Sequence, residues 1–502
     1  MPFHEKFKRV RNRLSKIETI SLIKLCSIKL HEIENKHITE WEGWLPWNLV
    51  LLIKWSVEYG GKQYPTREAT KTVVMKLMNL MNELPSENVF LKDNGIGGLQ
   101  KFVRTTAFQQ FWYQSRLNSW ELSRQYLLFC EIPPEHPIQK NFLANHGLDI
   151  RKFLELCLLL WVWIGKNENN IAFNPSVLLS ATNFTADEVS TFLNSISLTF
   201  DGLKNHLRVR KQRIDNPYFQ LTELTPLTRF PLLRDDQGNY LVYSRRVFER
   251  TIASIFYDTT KDIGGSKLAE QFASLFEKYI EQNISYLSSS YYSEADLYEE
   301  FIKEKVTDFL LPFDECTVMI EAKAIEMRPI VQVYPGNKQL ERELKDSVVK
   351  AVYQGFSLAN EISKKYDNLV IPCRDSFFLV VVTYRELFLG NGQDMWEEFL
   401  GDLVVPFLEE KHIDQKLIPP GHIVVLNIND LDLLLSVVWA GLDTIPNIFK
   451  EMVKKNSDRS TMKYSFSMHL AQSQYRKDNL KLPSHEKVFN KMFDGLIARI
   501  KQ

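Results

Sequence analysis

The spacing of apolar residues predicts that the first part of the chain is mainly helical. Apolar side chains recur about every 3.6 residues in three early segments, which indicates helices with one buried face. These predicted helices cover residues 17–38, 47–59 and 69–84, and a further one covers 120–130. We therefore expect a mainly helical domain over residues 1–225, with turns and prolines between its helices.

The pattern changes near Thr225. Pro226, Pro231 and the turn residues 235–239 interrupt the helical spacing, and residues 240–243 then read as a short strand. A helix is predicted over residues 245–257. The sequence therefore predicts a second domain that begins at residue 226.

Helices and strands are mixed in this second region. Apolar residues recur at helical spacing over 267–284 and again over 338–364, and Ser266 is placed to cap the first of these helices. Residues 376–384 are β-branched and aromatic, which is typical of a buried strand. With two further strands between the helices, the predicted order is helix, strand, strand, helix, strand.

Two acids stand inside the apolar runs of the predicted strand pair. Asp308 heads the first run, and Glu321 lies near the end of the second, two residues before Lys323. Residues 312–315 read as a turn, so a hairpin would bring Asp308 close to Glu321 and Lys323. Glu321 and Lys323 share one face of their strand because successive side chains alternate. An unpaired charge in such a run is costly, so these groups are expected to pair with one another or to hold a metal.

This arrangement resembles the PD-(D/E)XK, or restriction-endonuclease-like, nuclease superfamily. Asp308 matches the first acid of its motif, and Glu321-Ala322-Lys323 match the second half, although Thr307 stands where the motif name has proline. The resemblance covers roughly residues 230–430. It implies an α/β core of the order αβββαβ, within an α+β multidomain chain whose nuclease-like domain spans 226–430 and whose residues 431–502 form a helical extension.

The resemblance also implies roles for further residues. Glu277 stands in the position of the carboxylate that the superfamily often takes from the helix before the hairpin, with Glu270 as the alternative. Gln354 lies on the later helix, where relatives often carry Gln or Lys near the site. The family pattern thus gives a catalytic set, which consists of Glu277, Asp308, Glu321, Lys323 and Gln354.

The cofactor implied by this resemblance is Mg²⁺, with Mn²⁺ as an alternative. Asp308, Glu321 and Glu277 would be its ligands, since magnesium prefers oxygen donors. Lys323 would orient or help to deprotonate the attacking water and offset charge on the phosphate. A Glu-x-Lys pair on a strand is also a common exposed ion pair, so the motif has a purely structural alternative.

The function implied is a metal-dependent endonuclease, with DNA expected ahead of RNA as substrate. Two alternatives stay open: an RNase with the same site, acting for example on tRNA, and an inactive nuclease fold that only binds or senses. By analogy with bacterial anti-phage defence proteins, the helical domain would recognise the substrate, a phage-derived trigger or a partner subunit. The sequence leaves open whether the chain forms a homo-oligomer.

Composition narrows the class of protein without identifying a partner. The 502 residues carry no formal net charge, and 44% hydrophobic with 25% charged residues is ordinary for a globular chain of two or three domains. The five cysteines form no C-x-x-C pair, so we expect buried thiols in a reducing cytoplasm and no zinc site. The most apolar run, residues 154–164, is too short to span a bilayer, and the charged first residues do not read as a signal peptide.

Two clusters of basic residues are candidates for contact with phosphates. The first lies between Lys6 and Lys16, and we expect it to be a solvated helix face. The second has few acids beside it, and we expect it to bind nucleic acid; its members are Arg208, Arg210, Lys211 and Arg213.

Overall fold

The protein is described from a computed structural model. The structure describes residues 2–61, 65–84, 96–113, 116–167, 170–210, 213–287, 290–301, 305–334, 336–365, 371–471, 475 and 480–501. The chain divides into two compact units, and each is described by itself. Unit 1 comprises Met1–Asp93, Thr105–Gly265 and Phe489–Gln502, and unit 2 comprises Asn94–Arg104 and Ser266–Val488.

The first part of the chain consists mostly of helices. They are α1 (Phe3–Leu14), α2 (Thr19–Ile33), α3 (Pro46–Tyr59), α4 (Lys71–Asn82), α5 (Ile96–Gln110), α6 (Ser119–Gln125), α7 (Pro137–His146), α8 (Ile150–Lys166), α9 (Ser176–Ala181), α10 (Ala186–Ser195), α11 (Phe200–Val209) and α12 (Pro217–Gln220). Tyr126–Cys130 continues α6 as a π-helical turn, and short 3₁₀ turns cover Ile38–Glu40, Phe111–Tyr113 and Pro226–Arg229. The predicted helices over 17–38, 47–59, 69–84 and 120–130 are therefore present, with ends that differ by a few residues.

Unit 1 also contains a small mixed sheet. Its strands are β1 (Ala172–Phe173), β2 (Ser197–Leu198), β3 (Leu232–Arg234) and β4 (Tyr240–Val242), in the spatial order β1-β4-β3-β2. The pairs β1–β4 and β3–β4 are antiparallel, and β2–β3 is parallel. Only β4 was predicted, because strands of two or three residues are too short to show a clear alternating pattern.

A long helical stretch, α13 (Arg245–Ile284), is interrupted at Gly265. Its backbone there has φ 62° and ψ −160°, a conformation that glycine adopts far more readily than other residues. The two compact units divide at this same glycine. The predicted domain boundaries after residues 225 and 430 stay predictions.

The remaining helices follow from residue 294 onward. They are α14 (Glu294–Glu300), α15 (Pro329–Val333), α16 (Asn337–Leu344), α17 (Lys350–Lys365), α18 (Gly392–Met395), α19 (Gly401–Lys411), α20 (Ile428–Trp439), α21 (Ile445–Asn456), α22 (Phe466–Leu470) and α23 (Pro483–Ile497). π-Helical turns at Lys345–Val349 and Trp396–Leu400 join α16 to α17 and α18 to α19, and 3₁₀ turns cover Gln415–Leu417 and Pro420–His422.

A five-stranded mixed sheet forms the centre of unit 2. Its strands lie in chain order and are β5 (Tyr292–Ser293), β6 (Phe309–Pro312), β7 (Thr317–Lys323), β8 (Phe377–Thr383) and β9 (Ile423–Asn427). β5, β6 and β7 pair antiparallel, whereas β7, β8 and β9 run parallel. The parallel strands end at one edge, where Lys323 lies opposite Thr383, and Thr383 opposite Asn427.

Strand β8 is covered on both faces. All seven of its residues are buried, as expected for an apolar strand between parallel neighbours. Helix α17 lies against it at Gly355, where an added Cβ would come within 2.8 Å of the Leu379 methyl carbons. The glycine thus permits a close approach of α17, the helix that carries Gln354.

The predicted α+β, mainly helical architecture is confirmed, with two small mixed sheets in the part of the chain that the structure describes. Within that part, no helix combines the length and the apolar character needed to cross a membrane. The apolar run at 154–164 lies in α8, whose Phe153 and Leu160 are fully buried in the protein.

Candidate functional site

The hairpin β6–β7 places two carboxylates beside each other. Phe309 pairs with Ile320 across the hairpin, so the next position in the register sets Asp308 opposite Glu321. The turn between the strands is closed by a hydrogen bond that the Phe313 N–H donates to the Cys316 carbonyl at 2.9 Å. Strand register, and not a loop, therefore determines where these two acids lie.

Asp308 and Glu321 are held by hydrogen bonds across the strand pair. The backbone N–H of Asp308 donates to Glu321 Oε2 at 3.3 Å, and the N–H of Ala322 donates to Asp308 Oδ2 at 2.6 Å. Glu321 Oε1 accepts from Lys323 Nζ in a direct ion pair. Glu321 is 1% exposed and therefore buried at the end of β7, whereas Asp308 and Lys323 are half-buried.

Burial raises the pKa of both hairpin acids. Burial, and then the neighbouring Asp308 charge, raise the pKa of Glu321, against the opposing effect of Lys323. Burial also raises the pKa of Asp308, although the Ala322 N–H and Lys323 act in the opposite direction. One lysine thus does not compensate the negative charge here, and a further cation would lower the free energy of the ionised state.

Glu277 lies on α13 within the electrostatic reach of the hairpin acids. Burial, followed by the charges of Asp308 and Glu294, raises its pKa to about 7, while Lys323 lowers it. The alternative acid on this helix, Glu270, is exposed. The structure therefore brings Glu277 into the neighbourhood of the hairpin acids.

Gln354 is half-buried on α17 and contacts the segment that leads into β6. Its Nε2 donates a hydrogen bond to the Val306 carbonyl at 3.0 Å. Its Oε1 is buried and has no hydrogen-bond partner among the residues that the structure describes. A buried unsatisfied acceptor is costly, so this oxygen is suited to receive a hydrogen bond from a bound water or ligand.

Sequence reasoning missed three residues that surround the same acids. Glu294, on α14, raises the pKa of both Asp308 and Glu277. Tyr298, one turn later and 44% exposed, hydrogen-bonds to Glu294. Lys350, exposed on α17, lowers the pKa of Asp308. The only sequence signal for Glu294 is the Ser293-x-x-Asp296 capping box, which marks a helix start but not its position beside β6.

The carboxylates around the hairpin suit a hard divalent cation that takes its remaining ligands from water or a substrate. Within the described ranges, no three Asp, Glu, His or Cys side chains are grouped closely enough to hold a metal ion alone. Asp308 and Glu321 provide two carboxylates, with Glu277 and Glu294 in electrostatic range. Magnesium is commonly held by one or two carboxylates together with water and substrate phosphates, and this set fits that pattern.

The second basic cluster does not form a single exposed surface. Arg208 is exposed at the end of α11, but the Arg210 guanidinium is in an ion pair with the buried Glu223, which also pairs with Lys54. Arg213 pairs with Asp215 at 2.8 Å. Lys211 lies outside the described residues. The expected phosphate contact by this cluster therefore stays a prediction, and Arg210 has a structural partner.

Compared with known proteins, the chain matches no family model, no curated protein and no solved structure. Its function must therefore be inferred from its own residues and their geometry.

Proposed function

We propose that this chain is a metal-dependent nuclease that hydrolyses phosphodiester bonds, with DNA as its substrate. The observation that carries the proposal is the meeting of Asp308, Glu321 and Lys323 at the end of β7, where a buried carboxylate, a half-buried carboxylate and an ammonium converge. The element order around them supports a restriction-endonuclease-like core: helix α13, strands β5 to β7, helix α17 and strand β8.

The charges of the site suit phosphodiester hydrolysis. Asp308 and Glu321 would hold Mg²⁺, which when bound supplies charge stabilisation for the reacting phosphate and lowers the pKa of a bound water. Lys323 places a positive charge at the same edge, where it offsets charge that develops on the phosphate and orients the attacking water. Its contact with Glu321 fixes the ammonium in place before a substrate arrives.

Glu277 and Gln354 are assigned supporting roles. A carboxyl whose pKa is about 7 can accept or release a proton near neutral pH, so Glu277 is suited to hold the proton of the attacking water. The unpaired Oε1 of Gln354 is suited to accept a hydrogen bond from that water. Neither role requires the strands of the β6–β7 hairpin to move.

The existing contacts of the Glu321 carboxylate favour a second candidate function, in which the nuclease fold binds a nucleic acid or another partner without cleaving it. Both oxygens of Glu321 already have partners, Lys323 at Oε1 and the Asp308 N–H at Oε2. An ion pair that satisfies the buried acid would suffice to keep the hairpin stable without a metal. The same residues would then be structural.

Cleavage assays separate these functions. Purified protein is incubated with supercoiled plasmid DNA or with total RNA, in Mg²⁺, Mn²⁺ or EDTA. The proposal expects metal-dependent cutting of DNA by the parent and none by the Glu321→Ala/Lys323→Ala double variant. Cutting of RNA alone would assign the same site to an RNase. Absence of cutting together with absence of metal binding in calorimetry would reject the nuclease function and favour a binding protein.

A further inference from the structure

A groove lined by basic residues lies on unit 1. Helix α1, helix α4 and the segment that precedes α4 form its walls, and its volume is about 940 Å³. A backbone bridge fixes its floor: the Arg67 N–H donates to the Lys16 carbonyl at 3.0 Å, and the Glu18 N–H donates to the Arg67 carbonyl at 2.8 Å. We call this feature the basic groove.

The charges along the basic groove are almost all positive. In the part of the chain that the structure describes, its lining contains one acid, Glu68, against five cations, which are Arg9, Arg13, Lys16, Arg67 and Lys76. Arg9, Arg13 and Lys16 follow one another at four- and three-residue spacing, so they share one face of α1 and the residues just after it. The apolar stripe of α1, from Phe3 to Leu14, packs into the core, which keeps these cations at the surface.

Most of these cations have no acidic partner among the residues that the structure describes. All five are exposed. Within the described ranges, Arg13, Lys16, Arg67 and Lys76 form no ion pair, and Arg9 meets Glu83 only at 3.8 Å between half-exposed side chains. Such an exposed pair contributes little to stability. Five like charges around one groove repel one another, so an anion bound there would be stabilised by all of them.

The spacing favours an extended anion over a single phosphate group. Residues 9 to 16 span roughly 10 Å at the rise of an α-helix. Arg67 and Lys76 supply positive charge from the facing wall. A chain of phosphates can meet several of these cations at once and release the counterions that each would otherwise hold. Among the described residues, the groove lining has no aromatic side chain for base stacking, so contact with the sugar-phosphate backbone is favoured.

We propose that the basic groove binds the phosphate backbone of a nucleic acid without sequence preference. The choice of nucleic acid over another polyanion rests on the proposed nuclease function, whereas the binding of a polyanion rests on the groove alone. The proposal assigns the phosphate contact to the first basic cluster together with Arg67 and Lys76. It does not assign that contact to the second cluster, near Arg208.

The test measures binding separately from cleavage. Fluorescence anisotropy of a labelled oligonucleotide, as duplex and as single strand, is followed in EDTA from about 50 to about 200 mM salt. The parent is compared with the variant Arg13→Gln/Lys16→Gln/Arg67→Gln/Lys76→Gln. The matched control removes four exposed lysines elsewhere on unit 1, and it is Lys24→Gln/Lys140→Gln/Lys166→Gln/Lys204→Gln.

We expect the groove variant to bind at least about 10-fold more weakly at low salt. For the duplex, the slope of log affinity against log salt should become shallower by about 3.6, since each of the four lost phosphate contacts removes roughly 0.9 from it. The control should keep the parent's slope to within about 1. If the groove variant does not fold, Arg13→Gln/Lys76→Gln gives the same comparison with about half the change in slope.

Other results overturn the proposal. They are a parent that binds neither oligonucleotide, a groove variant with the parent's affinity and slope, and a parent that binds vesicles containing phosphatidylserine but no oligonucleotide. The nuclease function is judged independently, by metal-dependent cleavage in the parent. Binding through the groove by a parent that neither cleaves nor binds metal would reject the nuclease and keep the groove proposal. Metal-dependent cleavage by the parent, together with unchanged binding by the groove variant, would keep the nuclease and reject the groove proposal.

Discussion

The backbone N–H of Asp308 donates a hydrogen bond to the carboxylate of Glu321 at 3.3 Å. The two residues come from neighbouring antiparallel strands, and the Ala322 N–H returns a hydrogen bond to Asp308 at 2.6 Å. This reciprocal arrangement fixes both acids through the backbone of β6 and β7. A substitution of either side chain should therefore change the chemistry of the site more than the fold around it.

The first prediction concerns Glu321→Gln, which keeps the shape of the side chain and removes its charge. Cleavage should fall at least about 100-fold, because metal-assisted charge stabilisation is worth several kcal/mol. The melting temperature in EDTA should stay equal or rise, since burial and Asp308 disfavour the ionised Glu321. Plasmid cleavage and thermal unfolding provide the two measurements. Glu270→Gln is the control. If Glu270→Gln loses activity and Glu321→Gln keeps it, Glu321 is not the functional acid.

The second prediction concerns Lys323→Met. This change removes the Lys323 ammonium, which contacts Glu321. In the parent, that ammonium lowers the pKa of three acids, Glu277, Asp308 and Glu321. Cleavage should fall by about 10²–10³-fold, the usual effect of losing one charge that stabilises a transition state. Stability in EDTA should also fall at pH 8, because the carboxylates lose their counter-charge. The matched control is Lys338→Met, an exposed lysine on α16. Equal cleavage by Lys323→Met and parent would show that the lysine is only structural.

The hairpin could be predicted because local signals agree on it. The apolar runs, the turn near Asp314 and the alternation of Glu321 with Lys323 all depend on residues fewer than 20 positions apart. Asp308 and Glu321 also stood out as acids in apolar runs, where a charge needs a partner. Register then follows from the turn, so the proximity of the two acids was accessible from the sequence.

Contacts between distant segments were not accessible in this way. Glu294 reaches the site because β5 pairs with β6, and β5 is only two residues long. Arg210 pairs with Glu223, which in turn holds Lys54 from helix α3, 169 positions away. No periodicity records such a meeting, since it depends on how whole helices pack. The basic groove was missed for the same reason, because Arg67 and Lys76 join α1 only in the folded chain.

The third prediction separates Arg210 from Arg208. Arg210→Ala should lower the free energy of unfolding by about 2 kcal/mol. This lies below the ~3–5 kcal/mol typical of breaking a buried ion pair, because Lys54 still neutralises Glu223. Arg208→Ala removes an exposed side chain and should change stability by no more than about 0.5 kcal/mol. Urea unfolding measures both. A loss of oligonucleotide binding in Arg210→Ala without any loss of stability would contradict the structural role of Arg210.

The last prediction is a dependence of stability and metal binding on pH. A glutamate in the unfolded chain titrates near ~4.3, whereas the folded protein holds the pKa of Glu277 at about 7. Between these two values the folded state carries more protons than the unfolded state. The Glu277 contribution to stability is therefore fully present below about pH 4 and is lost as the pH rises through about 7.

A divalent cation should act in the opposite sense, because it binds the deprotonated carboxylates. The rise in melting temperature on adding Mn²⁺ should be small at pH 5 and grow toward pH 8. Other buried groups titrate in this window, among them Glu34, whose burial raises its pKa to about 7. The decisive quantity is thus the difference between the parent and Glu277→Gln, measured by thermal unfolding across pH 5–8 in EDTA and in Mn²⁺. In EDTA the melting temperature of the parent should fall relative to that of Glu277→Gln as the pH rises, since only the parent has a carboxyl at position 277 that ionises. A difference that does not change with pH, or a metal effect equally large at pH 5, would show that Glu277 does not titrate with the site.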